Sequence, residues 1–129
     1  MAGEVMQREL LRAGARLRIY VLRRGERREV LEFLDGLPPS ERKKSVALLV
    51  RVADHGIPSN PQKYKRLKGY RDLHELKAGQ VRLLFFFDRG DLVLAHAFRK
   101  RGRGTPAREI QAATWRRDRY LGGQEEADQ

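Results

Sequence analysis

The sequence predicts an α+β domain: one strand, a helical hairpin, three more strands and a final helix, with the helices covering one face of an antiparallel sheet. Three observations carry this prediction. Apolar residues alternate near residue 16 and again between residues 73 and 98. They recur at helical spacing between and after those stretches. The pair Pro38-Pro39 divides the first helical stretch in two.

The first strand is read over residues 16–22, where Leu17, Ile19 and Val21 fall on one side and Arg16, Arg18 and Tyr20 on the other. Val30, Leu31, Leu34 and Leu37 then keep helical spacing up to the prolines. Ser40 reads as the N-cap of a second helix whose buried stripe is Val46, Leu49, Val50 and Ala53 and whose stop is Gly56. Strands follow over residues 73–77, 80–87 and 92–98, joined at Ala78-Gly79 and Arg89-Gly90 into a meander. With two-residue turns, Val81, Leu83, Phe85 and Phe87 share a face with Leu92, Leu94, His96 and Phe98, and Glu75, Lys77, Gln80 and Arg82 take the other. Thr105 and Pro106 open the last helix, with Ile110, Ala113 and Arg117 on its inner stripe toward Tyr120-Leu121.

A chain of 129 residues suits one domain. Residues 16–121 are expected to form it. Residues 1–15 read as an N-terminal extension, with a short helix as one option, and residues 122–129 as a flexible acidic tail.

Lys and Arg number 28 against 17 Asp and Glu, a net charge of +11. The excess sits in the second half: residues 61–121 carry 16 basic and 6 acidic groups (+10), residues 1–60 carry 12 and 8 (+4), and residues 122–129 carry 3 acids and no base (−3). Such a field favours polyanions, because Lys and Arg release counterions condensed on phosphates. With no cysteine there is no thiol nucleophile and no disulfide or Cys-ligated metal. Neither a nucleotide-binding glycine motif nor a His-Glu-x-x-His or Asp-x-Asp pair is present, so no cofactor and no metal ligand are expected. Nothing reads as a membrane span or as an export signal, which makes the expected location cytoplasmic.

Basic residues converge on the predicted meander. Lys63, Lys65, Arg66 and Lys68 surround Tyr64 and precede Tyr70-Arg71; Lys77 and Arg82 lie on adjacent strands; Arg99-Lys100-Arg101-Gly102-Arg103 leaves the last strand. A face carrying Lys77 and Arg82, rimmed by basic loops and by Tyr64 and Tyr70, combines phosphate-binding cations with rings on which bases stack. Of the three histidines, His55 reads as a helix-end residue and His96 as a packed core side chain, while His74, in the basic region, stays open between core and acid–base roles.

The ordered combination Lys65-Arg66-Leu67-Lys68-Gly69, Asp72-Leu73-His74-Glu75-Leu76-Lys77, Gly79-Gln80-Val81-Arg82-Leu83-Leu84-Phe85, His96-Ala97-Phe98-Arg99-Lys100 and Thr105-Pro106 resembles the RelE/HigB-like toxins of bacterial type II toxin–antitoxin systems. The similarity covers residues 16–121 and is nearest to the phage-derived HigB-like branch of the RelE/ParE superfamily. It implies a small toxin that cleaves messenger RNA in the ribosomal A site without a metal, held by a cognate acidic antitoxin in a toxin–antitoxin hetero-oligomer.

The resemblance assigns roles residue by residue. Lys77 matches a catalytic lysine, and crowding by other cations with partial burial lowers a lysine's pKa enough for it to act as a base. Arg82 matches the strand arginine that holds the scissile phosphate, a task suited to its fork of donors. Lys100 and Arg101 match a basic exit loop that stabilises the transition state. Lys65, Arg66, Lys68, Tyr70, Arg99, Arg101 and Arg103 are expected to contact RNA or ribosome. Two positions depart from the pattern: Glu75 stands where relatives often carry a second base, and Ala107-Arg108-Glu109-Ile110 lacks their tyrosine. Glu75 is then either an acid–base group or the partner of Arg82. The same scaffold implies two other classes, a gyrase-inhibiting ParE-like toxin that cleaves nothing, and a degenerate module that binds RNA or antitoxin only.

Overall fold

The computed structural model describes residues 5–127 of the chain. Its elements run β1 (Met6–Ala13), β2 (Arg18–Arg24), α1 (Glu29–Asp35), α2 (Pro39–His55), β3 (Tyr64–Arg66), β4 (His74–Ala78), β5 (Val81–Asp88), β6 (Asp91–Arg99) and α3 (Ala107–Ala127). The six strands form one sheet in the order β1-β2-β6-β5-β4-β3. This is the expected α+β domain with a helical hairpin and a C-terminal helix, and four features change its details.

First, residues 6–13 are neither a helix nor a detached extension: they are β1, paired antiparallel with β2. Their alternation is weak because only Met6 is buried while Leu10 and Leu11 stay exposed at the sheet edge. Second, the sheet is mixed, since β2 runs parallel to β6. Third, helices cover both faces. One core packs Ile19, Val21, Leu76, Leu83, Phe85 and Leu94 under α1 and α2, and the other packs Leu73, Leu84, Phe86 and Val93 under Ile110 and Tyr120 of α3. Leu73, just before β4, and each of these strand residues are fully buried, and each contributes about 1.5–3 kcal/mol by leaving water. Fourth, α3 continues to Ala127 through residues read as part of a tail, and residues 128 and 129 lie outside the described part.

Smaller corrections have local causes. The stripe of α2 is Ser45, Leu48, Leu49, Val52 and Ala53, and Val46 is 47% exposed. Ser45 can be buried because its hydroxyl donates to the Glu41 carbonyl at 2.9 Å. Pro38 occupies the N-cap of α2, and Ser40 lies within the first turn. The β5–β6 register shifts between Leu84 and Phe85, which leaves Ala95 as the extra residue on β6. Leu92 and Leu94 therefore face α1 and α2 with Phe85 and Phe87, but His96 and Phe98 turn to the α3 face, opposite Leu84 and Arg82.

The turn between β1 and β2 passes so near the end of α2 that a side chain at Gly14 would meet the Ala53 backbone at 2.3 Å. Only glycine fits there, and the Ala53 carbonyl accepts from the amides of Arg16 and Leu17 at 2.9 Å each. No helix among the described residues is long and apolar enough to cross a membrane.

Candidate active site

The antiparallel register of β3, β4 and β5 builds the site on the α3 face. Lys65 pairs with Glu75, Glu75 with Leu84, and Lys77 with Arg82. Directly opposed residues share a face, so Lys65, Glu75, Lys77 and Arg82 project to one side. The loop after β6 completes the site. The Lys100 amide donates to the Gln80 carbonyl at 2.7 Å, which fixes the loop beside the β4–β5 turn. Gly102 (φ +77) and Gly104 (φ +68) then bend the chain through the left-handed region toward α3.

Glu75 is the centre of the arrangement. It is 1% exposed, its Oε1 accepts from the Thr105 hydroxyl at 2.6 Å, and its Oε2 lies 3.7 Å from Lys65 Nζ and 3.8 Å from Arg82 Nε. A buried carboxylate is tolerable because of these partners. Arg82 is 8% exposed, and one terminal nitrogen donates to the carbonyls of Gly79 at 2.5 Å and Val81 at 3.1 Å. Its Nε finds no hydrogen-bond partner among the described residues. Lys77 Nζ donates to the Pro61 carbonyl at 2.9 Å, leaving further N–H groups available. Burial, together with Lys65, Arg82 and Lys100 nearby, holds the Lys77 ammonium below the ordinary lysine range, against the opposing pull of Glu75.

Lys65 and Arg82 thus flank one carboxylate, Lys77 lies close to all three with Lys100 beside it, and the surplus positive charge of the four suits a bound phosphate. Arg101 and Arg103 are exposed on the adjoining loop, and Lys68 and Tyr70 on the loop between β3 and β4. Three expected members fall elsewhere. Arg66 pairs with His74 and so projects to the α1–α2 face, one residue out of phase with Lys65. Arg99 pairs with Val81 on that same face and is tied to Glu41 of α2. Tyr64, expected on the rim, is half-buried on that side, its hydroxyl 2.8 Å from His74 Nδ1.

Two residues gain functions the sequence did not signal. Thr105, read as a helix cap, donates its hydroxyl to Glu75, and the Pro106 carbonyl accepts the first amides of α3. His96 is part of a polar link between sheet and helix: its Nε2 lies 3.2 Å from Glu109 Oε1, and its Nδ1 accepts from Arg116 at 2.8 Å. Burial lowers its pKa, so the neutral ring that accepts from Arg116 is the favoured form. Among the described residues no group of three acidic or histidine side chains is placed to hold a metal ion.

Residues 32–118 fit the family model described as Phage derived protein Gp49-like (DUF891), a span that includes all four cations and Glu75. No curated protein matches the chain.

Proposed function

Because the chain belongs to the phage-derived Gp49-like family, we propose that it is the toxin of a type II toxin–antitoxin pair, of the RelE/HigB-like kind, and that it cleaves messenger RNA on translating ribosomes. The observation that carries this reading is the cluster of Lys65, Lys77, Arg82 and Lys100 beside a single buried carboxylate, with a nearly buried arginine whose Nε has no hydrogen-bond partner among the described residues. Such a face is incomplete without an anion.

In the reaction we infer, the ribose 2′-OH attacks the adjacent phosphorus. A bond forms from O2′ to phosphorus, the bond from phosphorus to O5′ breaks, and the products carry a 2′,3′-cyclic phosphate and a 5′-OH. Lys77 in its neutral form takes the 2′-OH proton, a role matched to its lowered pKa. Arg82 holds the phosphate and the negative charge that develops on it. Lys100 adds charge from the far side of the β4–β5 turn and is the group that supplies a proton to O5′. Glu75 positions Arg82 and Lys65 and is itself held by Thr105. Lys65, Lys68, Tyr70, Arg101 and Arg103 contact the strand or the ribosome around this centre, and a cognate acidic antitoxin is the natural neutralising partner of so basic a protein.

Glu75 also supports a second reading. Its carboxylate already takes Lys65 and the Nε side of Arg82, which fits a face that binds RNA or antitoxin without cutting. Purified protein on ribosomes programmed with a short message separates the two. Cleavage that leaves a 2′,3′-cyclic phosphate, and that falls about 10²–10³-fold in Arg82→Ala, supports the nuclease. Message that stays bound and intact supports the binding module.

A further inference from the structure

His96 on β6 ties the sheet to α3 through both ring nitrogens. Its Nδ1 accepts from a terminal nitrogen of Arg116 at 2.8 Å, and its Nε2 lies 3.2 Å from Glu109 Oε1. A nitrogen that accepts carries no proton, so the ring bears its hydrogen on Nε2 and donates it to Glu109. The contact with Arg116 therefore exists only while the ring is neutral. Protonation at Nδ1 removes the acceptor and sets an imidazolium against a guanidinium.

The surroundings of the ring oppose that charge. Its side chain is 14% exposed and stacks on Phe98 at 5.9 Å, and β5 presents Leu84 opposite it. Arg116 of α3 faces it, with Arg24 of β2 and Arg27 of the following turn near Arg116. Glu109 of α3 and Glu29 of α1 pull the other way, although Glu29 is already held by Arg24 and Arg116. Burial prevails, with Arg116 adding to it, and the ring titrates below its ordinary 6.5.

The placement joins this group to the cationic face. Glu75 pairs with Leu84 and Leu84 with His96, so the three form one row across β4, β5 and β6 on the α3 face, about 10 Å from end to end. The chain entering α3 spans that row: Thr105 donates to Glu75 at one end, and Glu109 meets His96 at the other. Farther along, the Tyr120 hydroxyl donates to Asp88 at 2.6 Å. The polar anchor next to the cationic face thus depends on His96, whereas that of the later turns does not.

We propose that His96 is an acid-sensitive latch: when its ring takes up a proton, the first half of α3 loosens from the sheet and Thr105 releases Glu75, while the later turns stay docked. The sign follows from the two states. A docked ring resists protonation and a ring under a loosened helix titrates near 6.5, so docking is at full strength above about pH 7.5 and weakens as pH falls through 6.5. The consequence for cleavage rests on the reading of the cationic face as a nuclease; the latch itself does not.

Trp115, the one tryptophan of the chain, precedes Arg116 and makes cation–π contacts with Arg24 of β2 at 5.9 Å and Arg119 at 5.3 Å. Its emission and its quenching by acrylamide report docking of the full chain without RNA or ribosomes. Between about pH 8 and about pH 5.5 the wild type should show a red shift and about a twofold rise in quenching, with its far-UV circular dichroism retained. His96→Gln, whose amide accepts and donates at every pH, should show neither change. Glu109→Gln removes the carboxylate that favours the charged ring, so its response should be larger than that of the wild type and begin at higher pH. Thermal melting verifies that each variant is folded, and Glu109→Gln decides alone if His96→Gln is not. Flat wild-type emission, the same transition in His96→Gln, or a smaller response in Glu109→Gln overturns the proposal. So does a transition that coincides with loss of the circular dichroism signal, which would mean that acid unfolds the whole domain. The expected transition in a chain that cleaves no RNA supports the latch and counts against the nuclease reading alone.

Discussion

Strand β4 presents two polar constellations, one on each face, and they are built to opposite ends. On the α1–α2 face, Asp72, His74 and Tyr64 form a chain: Tyr64 Oη lies 2.8 Å from His74 Nδ1, His74 Nε2 lies 2.7 Å from Asp72 Oδ1, and Asp72 Oδ2 accepts from the Phe87 amide at 3.2 Å. The His74 ring stacks on Phe85 at 5.0 Å and meets Phe87 edge-on at 5.2 Å. Asp72 is held at φ +41 to reach its partners. By residue type this chain imitates a catalytic relay, yet each ring nitrogen and each carboxylate oxygen is already engaged. On the α3 face, one residue along, Glu75 is engaged but the cations around it outnumber it, and Arg82 Nε has no hydrogen-bond partner among the described residues. Closed polar chains hold structure, whereas a surplus of one charge in a partly dry place marks where a ligand completes the set.

Substitutions can break this contrast, beginning with the largest effect. His74→Ala should cost about 2–4 kcal/mol of stability, since it empties a stacked, nearly buried site and leaves Asp72 and Tyr64 without their shared partner. Chemical denaturation measures that loss, and RNA cleavage per folded molecule should be unchanged; a large drop in that specific rate would mean that the relay is chemical after all.

Lys77→Arg keeps the charge but removes a base that can lose its proton. Cleavage should fall about 10–100-fold, and its pH profile should change shape. An amine acts as a base only when neutral, and a lowered pKa populates that form at lower pH, so the wild-type rate should climb with pH and reach half its limit below 10.5. The arginine variant should show no such climb. The smallest change is Tyr64→Phe, which removes one half-buried hydrogen bond and should lower stability by about 1 kcal/mol with no effect on rate.

How much of this was legible in the sequence depended on whether the signal was local. The β4–β5–β6 meander was readable because its turns carry Gly79 and Gly90 at positive φ and its strands alternate. Strand β1 was not, because Met6 alone along it is buried. The three-residue β3 was too short to show a period. Parallel pairing of β2 with β6 joins residues some seventy positions apart, a relation no local pattern encodes. The bulge at Ala95 sends His96 and Phe98 to the α3 face, and a small side chain gives no warning of it.

The candidate site divides the same way. Lys77 and Arg82 were readable as neighbours because four residues of hairpin separate them. Arg66 and Arg99 were misplaced because a face is decided by a single step of register. Thr105 before Pro106 read as a cap because that pair commonly starts helices, and only the folded chain places its hydroxyl on Glu75.

The most direct test of the reading as a ribosome-dependent nuclease centred on Arg82 is induction of the wild-type chain and of Arg82→Ala in bacteria, followed by mapping of messenger RNA 5′ ends. Codon-phased new ends and growth arrest with the wild type, and neither with a folded Arg82→Ala variant, are the expected result. Growth arrest with intact messages, or cleavage that persists in Arg82→Ala, would contradict it.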